Sequence, residues 1–290
     1  MGVWDNLGAE RVWRQTLLLR FAVACCFIGH GTMAIQVSGN FGSEWSSWVR
    51  MFLPSSIEYE ASRMMLLLIG TLDIVDGVLL LLPRIPRHAL VWVLGWGFLT
   101  AMSRLVFLGV YAPPFAINGF HAIAEMVKRV PNWMLPLFLV AMTSPGIKQS
   151  QIVISQRYKL LTFAVMSQTL SIFLNSSYEY QNPMFNFELL KIGMPEWYFW
   201  TITVLSLLGL LATALIYLFG NNSVMVRAGV IVVVVVYCMS EGFNIYSRNL
   251  PGGFFYAFVR FVSHMSMYTC LGMWAAISLR STAPALARQE

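Results

Sequence analysis

A handful of ionisable side chains lie inside long apolar runs, and these are the residues that could do chemistry. His30 stands within Gly29-His30-Gly31. Asp73 and Asp76 are spaced i, i+3, and His121 and Glu125 i, i+4, so each pair shares a helix face. Arg104 sits by itself in its run. Glu241, followed by Asn244, and the pair Arg260 and His264 lie in the last third of the chain. A charge in a bilayer costs about 2.5–3.5 kcal/mol on insertion scales, so each needs a neighbour, water or a proton. The acids Asp73, Asp76, Glu125 and Glu241 outnumber the bases Arg104 and Arg260. The excess acid must be protonated, or paired with histidine or water. Two readings follow. In one, the charges are interhelical pairs that set the register of a bundle. In the other they form a buried site that exchanges protons with an oxygen-bearing headgroup such as a quinone. There His121 and Glu125 are the catalytic pair, and His30, Asp73, Asp76 and Arg104 line the binding pocket, with Arg104 holding an anionic group. Glu241, Arg260 and His264 make a smaller polar cluster in the second half.

The elements that must position these residues follow from composition. Of 290 residues, 58% are hydrophobic and 11% charged, with a mean hydropathy of +0.66. An average soluble domain has about 45–50% and about 25%. A soluble globular domain, a disordered chain and a collagen are excluded, leaving an all-α polytopic transmembrane bundle. Eight spans of about 20 residues are expected: Leu17–Val37, Met64–Leu82, Ala89–Tyr111, Phe115–Ser144, Lys159–Leu174, Trp197–Phe219, Ala228–Tyr246 and Phe254–Leu279. The fourth contains Pro131 and is either one long tilted helix or two pieces. With eight spans, Arg11, Arg14, Arg20, Arg84, Arg87, Lys148, Arg157, Lys159, Arg227, Arg280 and Arg288 fall on one side. Most acidic loop residues, such as Glu44, Glu58, Glu60, Glu179, Glu188 and Glu196, fall on the other. The positive-inside rule then puts both termini in the cytoplasm. The start, MGVWDNLGAERVWRQ, has no apolar signal region and reads as a short interfacial helix carrying Trp4 and Trp13. Trp45 and Trp48 suit an amphipathic helix on the opposite interface.

The net charge of +6 and pI near 9.3 would suggest a nucleic-acid partner in a soluble protein. Here the bases sort by membrane side, so no nucleic acid is expected. The cysteines Cys25, Cys26, Cys238 and Cys270 lie in apolar runs and read as packing residues. His30, His121 and His264 fall on different spans, and Gly29 and Gly31 would let a flat macrocycle approach His30. There is no C-x-x-C-H, however, so haem is not expected, nor is a metal. Phosphate-binding glycine loops, HExxH, GxSxG and CxxC are absent from the chain.

The two halves echo each other. Leu18-Leu19-Arg20-Phe21-Ala22-Val23 matches Leu160-Leu161-Thr162-Phe163-Ala164-Val165, and Met51-Phe52-Leu53-Pro54 matches Ile192-Gly193-Met194-Pro195. Met102-Ser103-Arg104 matches Met239-Ser240-Glu241, and Asn118-Gly119-Phe120 matches Gly252-Gly253-Phe254. Four matches in order predict a tandem duplication, residues 1–150 and 151–290, each a four-span unit. An even unit gives the halves parallel topology, related by an axis along the membrane normal.

Three stretches resemble the DoxX-like membrane family. Leu19-Arg20-Phe21 through Phe27-Ile28-Gly29-His30-Gly31 is similar to its first span. Ile69-Gly70-Thr71-Leu72-Asp73-Ile74-Val75-Asp76-Gly77, with its leucine run, is similar to its second. Thr143-Ser144-Pro145-Gly146 is similar to the step ending its fourth. Asp73 stands where that family usually has Glu, Ser144 where it has Gly, and the family usually has one four-span unit. The resemblance covers about residues 15–150 and implies a quinone-linked or accessory subunit. The expectation is therefore a membrane subunit of an oxidoreductase that touches the quinone pool in a bacterial inner membrane. Its electron carrier would sit on a protein partner within a larger complex. A non-catalytic scaffold or assembly subunit, and a small-anion or lipid transporter, are the alternatives. The residues leave open whether the chain is itself an enzyme.

Overall fold

The structure, a computed structural model, describes residues 3–39, 49, 58–111, 115–143, 151–181, 195–219 and 223–281. The elements are α1 (Val3–Val37), α2 (Glu58–Leu79), α3 (Arg87–Tyr111), α4 (Phe115–Lys128), α5 (Val130–Thr143), α6 (Gln151–Gln181), α7 (Glu196–Phe219), α8 (Ser223–Ser263) and α9 (Met265–Ser281). No strand occurs among the described residues. The segment around Trp45 and Trp48 lies outside them.

Among the described residues the fold is all-α, and three stretches are long and apolar enough to cross a membrane: Thr16–Val37, Glu196–Phe219 and Val224–Gly242. The distribution of side chains is inverted relative to a soluble protein. On α7 the buried stripe includes Ser206, Gly209 and Thr213, while Leu207, Leu208, Leu211, Leu215 and Leu218 are exposed. On α2 the inner stripe carries Ser62, Gly70, Asp73, Asp76 and Gly77, and Met64, Leu68, Val75 and Val78 face outward. In water such a face would aggregate. Against lipid tails, leucine outward and small or polar residues inward is the stable arrangement.

Several boundaries differ from those expected. No proline interrupts residues 3–37, so the interfacial helix and the first span merge into one helix of 35 residues. The fourth span is two helices, α4 and α5, parted at Arg129, where the amide reaches back only to the Met126 carbonyl at 3.1 Å. Pro131 falls in the first turn of α5, where a missing amide hydrogen leaves no bond unmade. The loop expected at 247–253 is helical, because α8 runs unbroken for 41 residues through Pro251. A proline removes one donor and bends a helix without having to end it. The interruption comes later, at His264, whose amide turns back to the Phe261 carbonyl at 3.1 Å.

The chain divides into two compact units. The first comprises Met1–Thr100, Asn132–Ile147 and Pro251–Thr269, and the second Ala101–Pro131, Lys148–Leu250 and Cys270–Glu290. In the first unit α1 packs along α2. A side chain at Gly31 would come within 2.5 Å of the Gly70 carbonyl oxygen, and one at Gly70 within 2.7 Å of the Gly31 carbonyl oxygen. Gly77, a heptad beyond Gly70, lies against Ile28 and the Ala24 carbonyl. Helix backbones therefore touch along this seam, as small residues allow. Gly97 on α3 lies against the Asn132 carbonyl of α5, and Phe98 meets Trp133 edge-on, with centroids 5.6 Å apart. In the second unit α6 packs on both α4 and α7. It also runs antiparallel to α9: Tyr158 and Ser278 share a hydrogen bond of 2.9 Å, and the Trp274 indole donates to Thr162 at 3.2 Å.

Candidate functional site

The most developed polar cluster belongs to the first unit, where α2 and α3 run side by side in opposite directions. Asp73 is 3% exposed. The Trp92 indole nitrogen donates to its Oδ1 at 2.8 Å, and the Trp96 indole also faces the carboxyl. One helical turn separates the two tryptophans, and their rings stack with centroids 5.3 Å apart and planes 17° apart. A turn further along α2, Asp76 is also buried, and the His88 Nε2 lies 3.6 Å from its Oδ1. The i, i+4, i+8 row His88, Trp92, Trp96 on α3 thus faces the i, i+3 row Asp73, Asp76 on α2. The contact is a ladder whose donors change from imidazole at one end to indole at the other. Among the described residues no Lys, Arg or His forms an ion pair with Asp73.

The α1–α2 seam explains how Asp73 is held away from water. A side chain at Gly31 would strike the Asp73 Cβ at 3.0 Å as well as the Gly70 carbonyl. Gly29, two residues earlier, faces the other way, and a side chain there would meet the Ser263 backbone nitrogen at 2.7 Å. Both glycines flanking His30 are therefore filled by neighbouring helices, which corrects the idea that they leave room for a flat macrocycle. His30 is partly exposed, and its Nδ1 donates to the Cys26 carbonyl of its own helix at 2.8 Å. A carbonyl accepts only, so this bond fixes the proton on Nδ1. Arg20 is buried at the end of the same seam. Its guanidinium donates to the Leu82 carbonyl at 2.6 Å and to Thr16 at 2.8 Å. It thereby satisfies a carbonyl beyond the last turn of α2, next to Pro83, and its positive charge matches that helix terminus.

The remaining residues expected in the pocket fall in the second unit. Arg104 is buried, in the part of α3 that belongs to the second unit. Glu125 also belongs to that unit. Its carboxylate accepts from Arg129 at 2.6 Å and lies 3.8 Å from the Lys128 ammonium. Arg129 donates as well to the Glu125 carbonyl at 2.7 Å. The end of α4 is completed by Gln168 of α6, which is almost fully buried and donates to the Lys128 carbonyl. His121 is on α4, but its side chain lies outside the described residues. Of the six residues expected to form one pocket, His30, Asp73 and Asp76 belong to the first unit and Arg104, His121 and Glu125 to the second. The second-half cluster divides too: Arg260 and His264 belong to the first unit and Glu241 to the second. His264 is buried against Tyr268, with ring centroids 6.4 Å apart. No group of His, Cys, Asp and Glu suited to a metal ion occurs among the described residues.

The residues of this cluster not anticipated from the sequence are Trp92, Trp96 and His88. Their spacing was a usable signal, because a tryptophan whose N–H must be satisfied in an apolar helix needs an acceptor across the contact. The comparisons with known proteins find no matching family, no similar curated protein and no similar solved structure.

Proposed function

We propose that the chain is an integral membrane protein whose first unit exchanges protons with a quinone-type headgroup, and that it serves as a quinone-linked subunit of a larger membrane complex. The observation that carries this reading is Asp73. A buried acid meant only to fix helix register would be matched with a base. Asp73 has two indole dipoles instead, which orient the carboxyl without neutralising it. Among the described residues no base supplies its counter-charge, which a proton or a bound group can provide. The stacked indoles of Trp92 and Trp96 supply the flat apolar surface a quinone ring needs beside a proton acceptor. The stretches that resemble the DoxX-like family, which include Asp73 and Asp76, point the same way. The electron carrier belongs to a partner protein in this reading.

The finer architecture proposed is a pair of parallel repeats. Helices α2 and α7 start at Glu58 and Glu196, and α5 and α9 start at Val130 and Met265. The stretch covered by α3 and α4, 87–128, corresponds to α8 at 223–263, and the breaks at Arg129 and His264 fall at matching places. Interrupted helices in corresponding positions of two halves are a mark of duplicated membrane folds. Eight crossings with cytoplasmic termini in a bacterial inner membrane remain the topology proposed from charge. The uninterrupted α8 makes Arg248 the deciding position: a cysteine there, labelled from outside intact cells, supports the count, and a protected one removes it.

The central test is mass spectrometry of quinones and proteins retained by the gently solubilised complex. Quinone retained by wild type and lost in Asp73→Asn, with the fold intact, supports the proposal. Equal retention, or none in either, overturns it. A stoichiometric protein partner without quinone would favour the scaffold reading.

A further inference from the structure

We infer that His88 and Asp76 form the proton path between solvent and Asp73. The inference rests on the reading of Asp73 as a proton-exchanging group and adds the residues that serve it. Exposure falls steeply along the ladder. The His88 side chain is 69% exposed and that of Asp76 6%, while as whole residues Asp76 and Asp73 are buried alike, with Asp73 a helical turn further along α2. The 3.6 Å between His88 Nε2 and Asp76 Oδ1 is longer than a hydrogen bond but within ion-pair reach. An exposed imidazole at the start of α3 can close that gap by a rotamer change, which takes picoseconds to nanoseconds.

The step conserves protons. Water or buffer gives a proton to the His88 ring, whose Nε2–H passes one to Asp76 Oδ1. Asp76 then turns and hands a proton to the Asp73 carboxylate, whose Oδ1 remains held by Trp92. Discharge runs in reverse, so one proton moves and no bond between heavy atoms changes. Other charged or titratable groups on the packed elements have partners of their own or lie in the turn. On α1, Arg20 is engaged by the Leu82 and Thr16 oxygens, and His30 donates to Cys26. Arg84 and Arg87 are exposed at the turn between α2 and α3, where they favour anionic buffer near His88. On α3, Trp92 and Trp96 are the donors already described and do not titrate.

The test is time-resolved infrared spectroscopy of the full chain in lipid nanodiscs after a jump in pD, with the Asp73 carboxyl band identified by its loss in Asp73→Asn. The wild-type band is expected to respond promptly. His88→Gly and Asp76→Asn should each slow the response on the order of a hundredfold, the scale of a positioned proton-transfer group. Added imidazole should restore the rate in His88→Gly alone. A wild-type rate in both variants, with the Asp73 band still responding, overturns the path and leaves the proposed function standing. A band that never responds in wild type overturns both.

Discussion

Asp73 and Glu125 are acids shielded from water on helices of similar apolarity, and their surroundings treat them in opposite ways. Glu125 is met by Arg129 and Lys128 from its own helix, with one bond of 2.6 Å. Asp73 is met from a neighbouring helix by an indole dipole, and by no base among the described residues. In the first arrangement the acid is matched by bases, and the strong bond to Arg129 ties the end of α4 to the break at Arg129. The second is geometrically tight and electrically open. The region around Asp73 is also the more rigid, since its glycines meet backbone, whereas Gly209 and Gly229 of the second unit meet only side chains, at 3.0 Å or more. A carboxyl group used for exchange needs a frame that does not collapse onto it when its charge changes. The frame around Asp73 is of that kind, and the pairing of Glu125 makes such a frame unnecessary.

The sharpest way to break the comparison is to spoil the frame. Gly31→Val places methyl groups onto the Gly70 carbonyl, and backbone cannot move as a side chain can. The loss should exceed about 3 kcal/mol, the upper range for overpacking, and monodisperse protein should disappear from size-exclusion profiles. Gly209→Ala, which meets the ends of Thr169 and Val233 at 3.2 Å, should survive. If both variants behave alike, the two regions do not differ in rigidity.

Next in size is the paired acid. Arg129→Ala removes the bonds to the Glu125 carboxylate and carbonyl and leaves that acid with Lys128 at 3.8 Å. The expected cost is about 3 kcal/mol, the low end for breaking a buried pair, because both side chains retain some exposure. Asp73→Asn should cost less than about 1.5 kcal/mol, since the amide oxygen can still accept from Trp92. Denaturation of the two variants in the same mixed micelles gives the ordering, and a reversed order would make Asp73 the structural acid.

How much of this was legible in the sequence differs between the two acids. The i, i+3 spacing of Asp73 and Asp76 placed them on one inward face without any structure. What they face depends on the register of α2 against α3, which is set by the turn after Leu82 and by the Arg20 guanidinium bound to it, and one-dimensional periodicity carries neither. Glu125 is the reverse case. It was expected to exchange protons, yet Lys128 and Arg129 stand three and four residues on, the spacing at which a helix pairs opposite charges. The loop expected at 247–253 failed for a third reason, because Pro-Gly-Gly lowers helix propensity but does not forbid a helix whose other bonds persist.

Smaller effects sharpen the picture of the open acid. Trp92→Phe keeps the ring available to stack on Trp96 and deletes one N–H donor. It should cost about 1–2 kcal/mol, the worth of a hydrogen bond to an acid. In the Asp73→Leu background, with no acceptor left, the same change should be close to neutral. A double-mutant cycle by thermal unfolding isolates that coupling, and a cost that persists without Asp73 would assign Trp92 to packing alone.

The smallest stability effect belongs to the residue with the largest kinetic role in the ladder. His88 is mostly exposed, and its contact with Asp76 is longer than a hydrogen bond. His88→Gly therefore loses little beyond helix propensity near the start of α3, about 1 kcal/mol or less. The same substitution should slow the Asp73 response by two orders of magnitude. That dissociation between stability and rate separates a relay from a strut. A strut at this place would show a larger thermal shift and an unchanged rate, and it would be rescued by a second-site stabilising substitution but not by imidazole.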